Sequence, residues 1–569
     1  MASQKRPHAS SLAGFSMAML SVLVTVAGFP LESRAQQSQS DTADPSTIER
    51  RLEETRPKAP ERAPRSPTVP EAEPEVSREE VRRFVLSAVV IEGATAIDRA
   101  DLAPLYEEFL AESIASDEAA LIAERITQAY REAGYVLSRA VVPPQQVRGG
   151  ILRIRVIEGY ISRVEFNGAE GQKLDVYAER LSRVRPVTLA ALERYVLLID
   201  DLNGLDVQDS AVSRLDAEGA YLLTLTVEYD AVDAYMYSDN RGTPEVGRLQ
   251  TWASVGANSI LGRGERLQLG VFTVPDDPDE LKYGEVQYHQ PVGGEGTQLS
   301  TTVSGSRIDA GGDLAAQNTE SSSARVVARL THPIMRRRDH SLWAAATFDV
   351  LNVEEDRFGR SNFDDRLRVL RARMTYRRRH HQGTTSLTLE ASQGLDVLNA
   401  SEEGSSRLSR FDGESTFTKV HVRLQRTQGL GPKSGLQIAA TGQKSADPLL
   451  SAEEFALGGS QFGRAFDFFE LSGEDGVAGS LELRFGEQVR HTVLRSYQMY
   501  AFLDAGTVWN RNAPDRLESQ SLSSVGAGIR VNLAHGQRAT LEVAQPLLRD
   551  VDTTGERDPR AFFTLSMSF

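Results

Sequence analysis

Polar and apolar residues alternate one by one along the carboxy-terminal part of the chain, from about Asp233 to Phe569. Such alternation is the period of a β-strand that has one apolar and one polar side. We predict sixteen strands of this kind, and the clearest lie in 370–377, 419–424 and 524–533. An antiparallel barrel with an apolar outer belt and a polar lumen explains the pattern, whereas a soluble β-sandwich is the alternative. The last strand places four apolar side chains on one face, at Phe563, Leu565, Met567 and Phe569.

The connections between these strands alternate in length as well. Short turns on one side and longer loops on the other are typical of bacterial outer-membrane barrels. The pattern therefore places the start of the first strand and the end of the last strand on the periplasmic side. All three tryptophans, Trp252, Trp343 and Trp509, lie in this part of the chain, and we expect them to form an aromatic girdle. The short turns are predicted near 261–264, 293–296, 335–339, 378–382, 430–433, 486–492 and 534–537, and the longer loops near 239–246, 274–280, 309–320, 355–364, 397–415, 444–475, 510–520 and 549–560.

Residues 84–229 carry a mixed α/β pattern that occurs twice. Each copy has about 70 residues in the order strand, helix, helix, strand, strand, which is an internal repeat. Because each copy is small for an independent core, we expect the two to support each other. The first copy has predicted strands at 84–91, 136–142 and 151–157 and helical segments near 98–110 and 117–133. The second has predicted strands near 161–166, 205–213 and 220–229 and helical segments near 171–183 and 188–201.

The amino terminus has the order of a secretory signal peptide. Lys5 and Arg6 supply the positive start, 12–29 supplies the apolar region, and Ser33-Arg34-Ala35 supplies the small residues of a cleavage site. A membrane-anchoring helix is the alternative, but glycine and serine interrupt the apolar run. We predict a signal peptide over residues 1–35.

Residues 36–80 are rich in Pro, Glu, Arg and Ser and are predicted to form a disordered linker. Within them, Thr47–Glu54 has the pattern of a short amphipathic helix before Pro57. This segment is either part of the solvated linker or a mobile helix that docks elsewhere on the protein.

Composition narrows the functional classes. The chain has 569 residues. Its formal net charge of −15 argues against a nucleic-acid partner. It has no cysteine, which excludes disulfides and thiol chemistry. After residue 35 no run of about 18 apolar residues occurs. The sequence also lacks the zinc-protease pattern, the phosphate-binding loop and the nucleophile elbow. His380-His381 follows Arg377–Arg379 in a predicted turn, which is more typical of solvated residues than of metal ligands. We predict a protein that is not an enzyme and has no metal or cofactor.

The segment 134–159 contains the most specific motifs in the chain. Gly134-Tyr135 precedes the second strand of the first copy, Pro143-Pro144-Gln145 follows that strand, and Glu158-Gly159 closes the third. In this order the motifs resemble the POTRA domain of two-partner secretion transporters, which are related to haemolysin activation and secretion proteins. The resemblance implies two periplasmic α/β POTRA domains followed by a 16-stranded antiparallel transmembrane β-barrel. The corresponding divisions are 1–35, signal peptide; 36–80, linker; 81–159 and 160–231, POTRA domains; and 232–569, barrel.

The longest predicted loop, 444–475, resembles the sixth external loop of this superfamily, which has an Arg-Gly-aromatic tip. Arg464 and Phe466 match the motif, whereas Ala465 replaces the glycine, so we expect the tight turn at the tip to be shifted or strained. A late strand carries the partner motif, aromatic-x-Asp-x-Gly, as Phe502, Asp504 and Gly506. The resemblance implies that an inward Asp504 binds Arg464 through a bidentate pair that lysine cannot reproduce.

The resemblance also implies a function. POTRA domains would capture an unfolded secreted polypeptide, of the large adhesin or cytolysin class, in the periplasm, and the outer-membrane barrel would export it. Further expected partners are outer-membrane lipid and the barrel-assembly machinery, which recognises a terminal residue such as Phe569. The alternatives are an assembly factor that inserts other barrels and a passive porin. Two POTRA units of this type favour secretion over insertion, and a porin has no need of them.

Several arginines are predicted to face the lumen. A water-filled lumen tolerates any polar residue, so these cations need no special role. The alternative is a conduit lined to prevent an extended polypeptide from sticking. The residues concerned are Arg329, Arg371, Arg373, Arg423, Arg530 and Arg538.

Overall fold

The computed structural model describes residues 45–55, 83–511 and 517–569. The predicted signal peptide and most of the predicted linker lie outside the described residues. The helix predicted at Thr47–Glu54 is present as α1, Pro45–Thr55. No helix in the described ranges is long and apolar enough to cross a membrane.

The first repeat unit is a three-stranded sheet covered by helices. Its sheet has the order β2 (Ala88–Glu92), β5 (Ile151–Ile157) and β4 (Arg139–Val141), in which β2 runs parallel to β5 and β4 runs antiparallel to it. Helix α3 (Ser116–Glu132) buries Ile122, Ile126 and Tyr130 against Leu152 and Ile154 of β5. The elements are β1 Phe84–Val85, β2 Ala88–Glu92, α2 Arg99–Leu102, 3₁₀ turns Ala103–Leu105 and Glu107–Phe109, β3 Ser113–Ile114, α3 Ser116–Glu132, β4 Arg139–Val141 and β5 Ile151–Ile157.

Two strands of this unit differ from the sequence-based expectation. The predicted strand 84–91 is divided because its first residues pair with β3, whereas β2 pairs with β5. At the junction, Leu86 N donates to Glu112 O and Ser87 N donates to Gly150 O. The predicted strand 136–142 is reduced to β4, since Ser138 N donates to Tyr135 O in a turn.

The second repeat unit has the same topology. Its sheet has the order β6 (Tyr160–Asn167), β8 (Ala220–Tyr229) and β7 (Leu205–Arg214), with β6 parallel to β8. The two units share a core, because Leu137 of the first packs into the second. Backbone bonds also cross the junction, from Leu189 N to Gly134 O (2.9 Å) and from Val187 N to Gly159 O (2.9 Å). The expected mutual support is therefore present. The elements are β6 Tyr160–Asn167, α4 Asp175–Ser182, α5 Leu189–Asp200, β7 Leu205–Arg214 and β8 Ala220–Tyr229.

The remaining long strands close into one antiparallel barrel, and their number is the predicted sixteen. The first barrel strand meets the last over five residue pairs, from Thr564↔Asp239 to Ser568↔Tyr235. Phe569 extends this seam, because it exchanges backbone hydrogen bonds of 2.9 and 3.2 Å with Ala234. The barrel strands are β9 Val232–Asp239, β10 Gln250–Asn258, β11 Arg266–Thr273, β12 Lys282–Val292, β13 Thr297–Asp309, β14 Glu320–Arg336, β15 His340–Arg357, β16 Arg360–His380, β17 Gly383–Gly394, β18 Thr418–Gly429, β19 Ser434–Ser445, β22 Asp475–Gln488, β23 Leu494–Trp509, β24 Ser519–Leu533, β25 Arg538–Pro546 and β26 Arg560–Ser568; two short strands inside the sixth external loop are β20 Phe455–Leu457 and β21 Leu471–Gly473.

Two details of the barrel prediction are wrong. The expected long loop at 355–364 is a two-residue turn, Phe358-Gly359, because β15 and β16 continue as a hairpin to Arg357↔Arg360. Positive φ angles at both turn residues match the twist of such a hairpin. The aromatic girdle also fails, since Trp252 is buried inside the barrel and Trp343 faces inward beside Arg336. The exposed Trp509 alone of the three fits it.

Candidate functional site

Helix α1 lies inside the barrel near the external ends of the first strands. Its apolar residues Ile48 and Leu52 are buried with Tyr237, Trp252 and Phe272, which project inward from β9, β10 and β11. The helix is amphipathic, so its cations need polar partners when its apolar stripe is buried. Arg51 Nη2 donates to Asp239 Oδ1 at 2.5 Å, and both side chains are buried. Of the two sequence-based alternatives, the helix therefore docks on the protein.

The same helix contacts the sixth external loop, which joins β19 to β22. Arg50 donates to Glu454 O (2.6 Å) and Ser451 O (3.1 Å). Its guanidinium also lies 4.1 Å from the ring centroid of Phe469. Helix and loop are thus in direct contact within the lumen.

The sixth external loop folds back into the barrel around its own apolar cluster. β20 pairs with β21, and Phe455, Phe462 and Phe466 are buried with Phe502 of β23. Gly506 permits this approach, since a Cβ there would lie 2.7 Å from Leu457 Cδ2. The motif residues Phe466, Phe502 and Gly506 are therefore brought together by packing.

The tight turn at the loop tip falls on Gly463. This residue has φ +92°, and Phe466 N donates to Gly463 O at 2.9 Å. Ala465 is fully buried and is not among the described residues with positive φ. The turn is therefore shifted to Gly463, and the alanine fits without left-handed backbone strain.

The structure brings the loop arginine against the strand aspartate. Arg464 Nε donates to Asp504 Oδ2 and Arg464 Nη2 to Asp504 Oδ1, each at 3.0 Å, and Arg464 N reaches Oδ2 at 3.1 Å. The guanidinium carbon lies 3.5 Å from the ring centroid of Phe502. Asp504 is inaccessible to solvent and the Arg464 side chain is 6% exposed. A bidentate pair in such a site is strong and specific in direction.

Further acidic residues at this site are not among those singled out from the sequence. Arg464 Nη1 donates to Glu482 Oε2 at 2.6 Å, and Arg530 Nη1 donates to Glu482 Oε1 at 2.7 Å. Arg241, just after β9, donates to Glu542 Oε1 at 2.5 Å and to Arg464 O at 3.1 Å. Alternation places Glu482 and Glu542 on inward faces, but only closure of the barrel brings their strands beside the loop tip.

Most of the predicted lumen cations have partners on the barrel wall or the loop. Arg371 pairs with Glu453 of the loop (2.5 Å) and Asp349 (3.3 Å). Arg373 pairs with Glu390 at 2.6 Å, and Arg329 Nε donates to Thr347 Oγ1 at 3.1 Å. Arg538 is exposed at the periplasmic end of β25. The pairing favours a structural role over a uniform cationic lining.

The predicted POTRA motif residues hold the fold of the first unit. The Glu158 carboxylate accepts from Thr95 N (2.7 Å), Ala96 N (2.8 Å) and Tyr130 OH (2.8 Å), and also from Thr95 Oγ1. Burial acts to raise the pKa of Glu158, but these hydrogen bonds hold it below its ordinary value. Gly159 has to be small, since a Cβ there would lie 2.4 Å from Leu137 O.

The other motif residues end β4 and α3. Pro143-Pro144 cannot donate backbone bonds, so the strand stops before them. The side-chain amide of Gln145 then bonds to β5 in the way a strand backbone would. It accepts from Arg153 N (2.9 Å) and donates to Arg153 O (2.7 Å). Gly134 takes φ +90° after α3, and Tyr135 N donates to Tyr130 O at 2.8 Å.

The second unit is fixed to the periplasmic turns of the barrel. Arg336 forms a bidentate pair with Asp201 at the end of α5, with distances of 2.7 and 2.8 Å. Lys173 N donates to Gly262 O at 2.6 Å, and Arg194 donates to Pro333 O at 3.3 Å. The repeat units therefore stand at the mouth of the barrel.

Comparisons with known proteins agree with this architecture. Residues 223–531 match the family described as haemolysin secretion/activation protein ShlB/FhaC/HecB, and residues 84–159 match the POTRA domain of ShlB type. The heme/hemopexin transporter protein HuxB of Haemophilus influenzae is 23% identical over 82% of this chain and 83% of its own. The solved structure of CdiB from Escherichia coli superposes with a TM-score of 0.76 at 21% identity, over 94% of this chain and all of that one. The solved structure of CdiB from Acinetobacter baumannii superposes with a TM-score of 0.63 at 14% identity, over 98% of this chain and 97% of that one. The chain belongs to the haemolysin secretion/activation protein family and is a two-partner secretion transporter of the outer membrane, with its POTRA domains in the periplasm.

Proposed function

We propose that this transporter exports a single large secreted polypeptide, of the adhesin or cytolysin class, through a lumen that α1 and the sixth external loop fill at rest. The observation that carries the proposal is their joint position inside a closed barrel, where Arg51 holds the helix and Arg464 holds the loop. A polypeptide passes only if at least one of them moves. Because the repeat units stand at the periplasmic mouth, they are placed to receive the polypeptide first.

The Arg464–Asp504 pair is proposed to anchor the loop rather than to contact the exported chain. Both groups are buried and saturated with partners, so neither offers a free donor or acceptor to a passing segment. Outer-membrane lipid and the barrel-assembly machinery are proposed as further partners, the latter through Phe569. Its side chain is 74% exposed while its backbone completes the seam.

The domain limits remain part of the proposal. Residues 1–35 are proposed to be removed as a signal peptide, residues 36–80, which contain α1, to form the linker before the first POTRA domain, and residues 81–159, 160–231 and 232–569 to act as the three folded parts. Amino-terminal sequencing of the protein taken from outer membranes tests the cleavage after Ala35.

The cargo is tested by comparing secreted and outer-membrane proteins with and without this gene. Loss of one large secreted protein, with other barrels unchanged, supports the proposal and identifies the cargo. A general fall in outer-membrane barrels supports an insertase instead, and no change in either supports a porin.

A further inference from the structure

Three neighbouring strands, β16, β17 and β18, share a well-defined lipid-facing surface. Met374, Leu389 and Val422 stand directly opposite one another across these strands. Their side chains are 48%, 47% and 38% exposed, although all three are apolar. Exposed apolar residues on the outside of a transmembrane barrel face the hydrocarbon of the bilayer. This row therefore marks the acyl-chain region.

A second row of residues lies on the same face, nearer the periplasmic turns. Residues an even number of positions apart along a strand share a face. Arg378, Thr385 and Arg426 are each four positions from a member of the apolar row, and they too stand opposite one another. At about 3.4 Å per residue the two rows are roughly 14 Å apart along the strands. The row between them contains Tyr376, Leu387 and Leu424. We call the polar row the Arg378–Thr385–Arg426 row.

The two arginines in this row are exposed and lack acidic partners. Arg426 donates to Thr385 Oγ1 (3.2 Å) and Gln428 Oε1 (2.6 Å). Within the part of the chain that the structure describes, no ion pair is formed by Arg378 or Arg426. The neighbouring carboxylate, Asp339, bonds instead to His340, which stands opposite Arg378. This differs from the lumen, where Arg371 and Arg373 are neutralised by glutamates.

The cationic row is not continued on the wall formed by β24, β25 and β26. On the opposite wall, Val531, Ala539 and Leu565 form the corresponding lipid-facing row near the periplasmic turns. None of these side chains carries charge or a hydrogen-bonding group. A cationic row at headgroup depth on one wall, with apolar residues above it, is complementary to a lipid with an anionic headgroup.

We propose that the Arg378–Thr385–Arg426 row binds the phosphodiester headgroup of an anionic phospholipid in the periplasmic leaflet. The guanidinium groups of Arg378 and Arg426 flank the phosphate, and the Thr385 hydroxyl lies between them. The acyl chains run along Leu387 and Leu424 toward the apolar row. The row begins on β16, which pairs with β15, and Arg336 at the turn before β15 binds the second POTRA domain, so a bound lipid fixes the depth of that side of the barrel.

Native mass spectrometry of the purified full-length protein tests the site, with phosphatidylglycerol and phosphatidylethanolamine as the probes. Each interfacial arginine is worth about a fivefold change in affinity for an anionic lipid. The double variant Arg378→Gln/Arg426→Gln is therefore expected to need about 25-fold more phosphatidylglycerol for the same occupancy. Arg131→Gln, at an exposed arginine of α3 outside the membrane, is the control and keeps wild-type binding. Heat-modifiable migration verifies that every variant is a folded barrel.

Three results overturn the proposal. One is a folded double variant that retains phosphatidylglycerol as tightly as the wild type. Another is equal binding of the two lipids by the wild type, which leaves no role for headgroup charge. The third is displacement of phosphatidylglycerol by millimolar inorganic phosphate, which indicates an anion site rather than a lipid site.

Discussion

Arg464 joins the tip of the sixth external loop to two barrel strands, β22 and β23. It is bound by Asp504, Glu482 and Ser480, and Arg530 balances the second carboxylate. Removing one member of a buried charge network leaves the others desolvated and unpaired, which costs about 3–5 kcal/mol. The barrel strands are held by their backbone ladders and do not depend on this network. Its energy therefore keeps the sixth external loop in the lumen.

We expect Arg464→Ala to reduce export at least tenfold while the barrel still inserts, since the loop loses its anchor and the strand ladders do not. Secreted partner in the medium is compared with heat-modifiable protein in the outer membrane. Arg464→Lys recovers only part of the export, because lysine cannot form the bidentate fork. Arg131→Ala, on the exposed side of α3, is the control. Export at the wild-type level by Arg464→Ala would show that the loop needs no anchor.

Gly463 and Ala465 give a paired test of the shifted turn. Gly463→Ala forces a left-handed backbone onto alanine and places its Cβ 2.6 Å from Leu522 Cδ1, so we expect export to fall. Ala465→Gly restores the common family tip but removes only a buried methyl group, and we expect little change. Protease sensitivity of the loop on intact cells is measured with export. A larger defect in Ala465→Gly than in Gly463→Ala would place the turn elsewhere.

At the scale of elements, α1 is a helix because its apolar stripe is buried against the barrel wall. Eleven residues are too few for a stable isolated helix in water, so its order depends on docking. The docking contacts are few compared with a strand ladder. An element held in this way leaves without unfolding the barrel.

Deletion of 45–55 is therefore expected to increase ion conductance through the barrel several-fold. The lumen loses the helix while the strand ladders are unchanged. Single-channel currents in planar bilayers measure this. An 11-residue deletion within 60–75 keeps α1 and shortens the chain equally, so it is the control. Unchanged conductance after removal of α1 would mean that the sixth loop alone closes the pore.

Helix α5 carries the clearest pH response outside the membrane. Burial of Asp200 raises its pKa to about 6, and Asp200 Oδ1 accepts from Val207 N at 2.9 Å. Because the folded-state pKa is above the ordinary 3.8, this carboxyl favours the folded unit at acid pH, and that contribution is lost as the pH rises through about 6.

Asp200→Asn keeps the acceptor oxygen and removes the charge. We expect slower hydrogen exchange in α5 of the full-length variant at pH 7.5, and no difference from the wild type below about pH 4. Exchange rates have to be corrected for their intrinsic pH dependence before comparison. Equal protection at both pH values would mean that Asp200 is not desolvated. Asp209→Asn, at an exposed position of β7, is the control.

At the scale of the whole molecule, the second POTRA domain is attached to the barrel by several turns. Arg336–Asp201 is bidentate, and Gly294 lies against α4, where a Cβ would be 2.8 Å from Val176 Cγ2. Together with the bond from Lys173 N to Gly262 O, these contacts join three separate periplasmic turns to one domain. We infer that the domain stays in place while α1 and the sixth loop move.

A disulfide across this contact tests the inference in a chain that has no other cysteine. We expect Val176→Cys/Gly294→Cys to export at near the wild-type rate when oxidised. Export before and after reduction, with the cross-linked fraction measured on gels, is the readout. Each single-cysteine variant serves as a control. Export that is lost on oxidation and restored by reduction would show that the domain has to detach.

Strand number, the two repeat units and the inward face of β23 could be predicted because each depends on local periodicity. Met499, Ala501 and Leu503 face outward, and Tyr500, Phe502 and Asp504 face inward, as alternation requires. The part of the β15–β16 hairpin beyond Glu354 could not be predicted. Polar residues outside the membrane have the composition of a loop even when they continue a strand ladder. The inward orientation of Trp252 was also not predicted, because an apolar residue on the inner face of a barrel has no apolar neighbour until α1 covers it.

The sequence by itself determined what each segment is, because helix and strand periods, proline and glycine positions and short motifs act within a few residues. It also indicated that Arg464 and Asp504 meet, through resemblance. Only the tertiary structure decided which distant groups share a site. Glu482, Arg241 and Glu542 reach the loop tip because the ladder closes β26 onto β9, and Arg378 stands in line with Arg426 because of strand register. Strand register and barrel closure depend on pairing along whole strands, and no local sequence pattern contains that information.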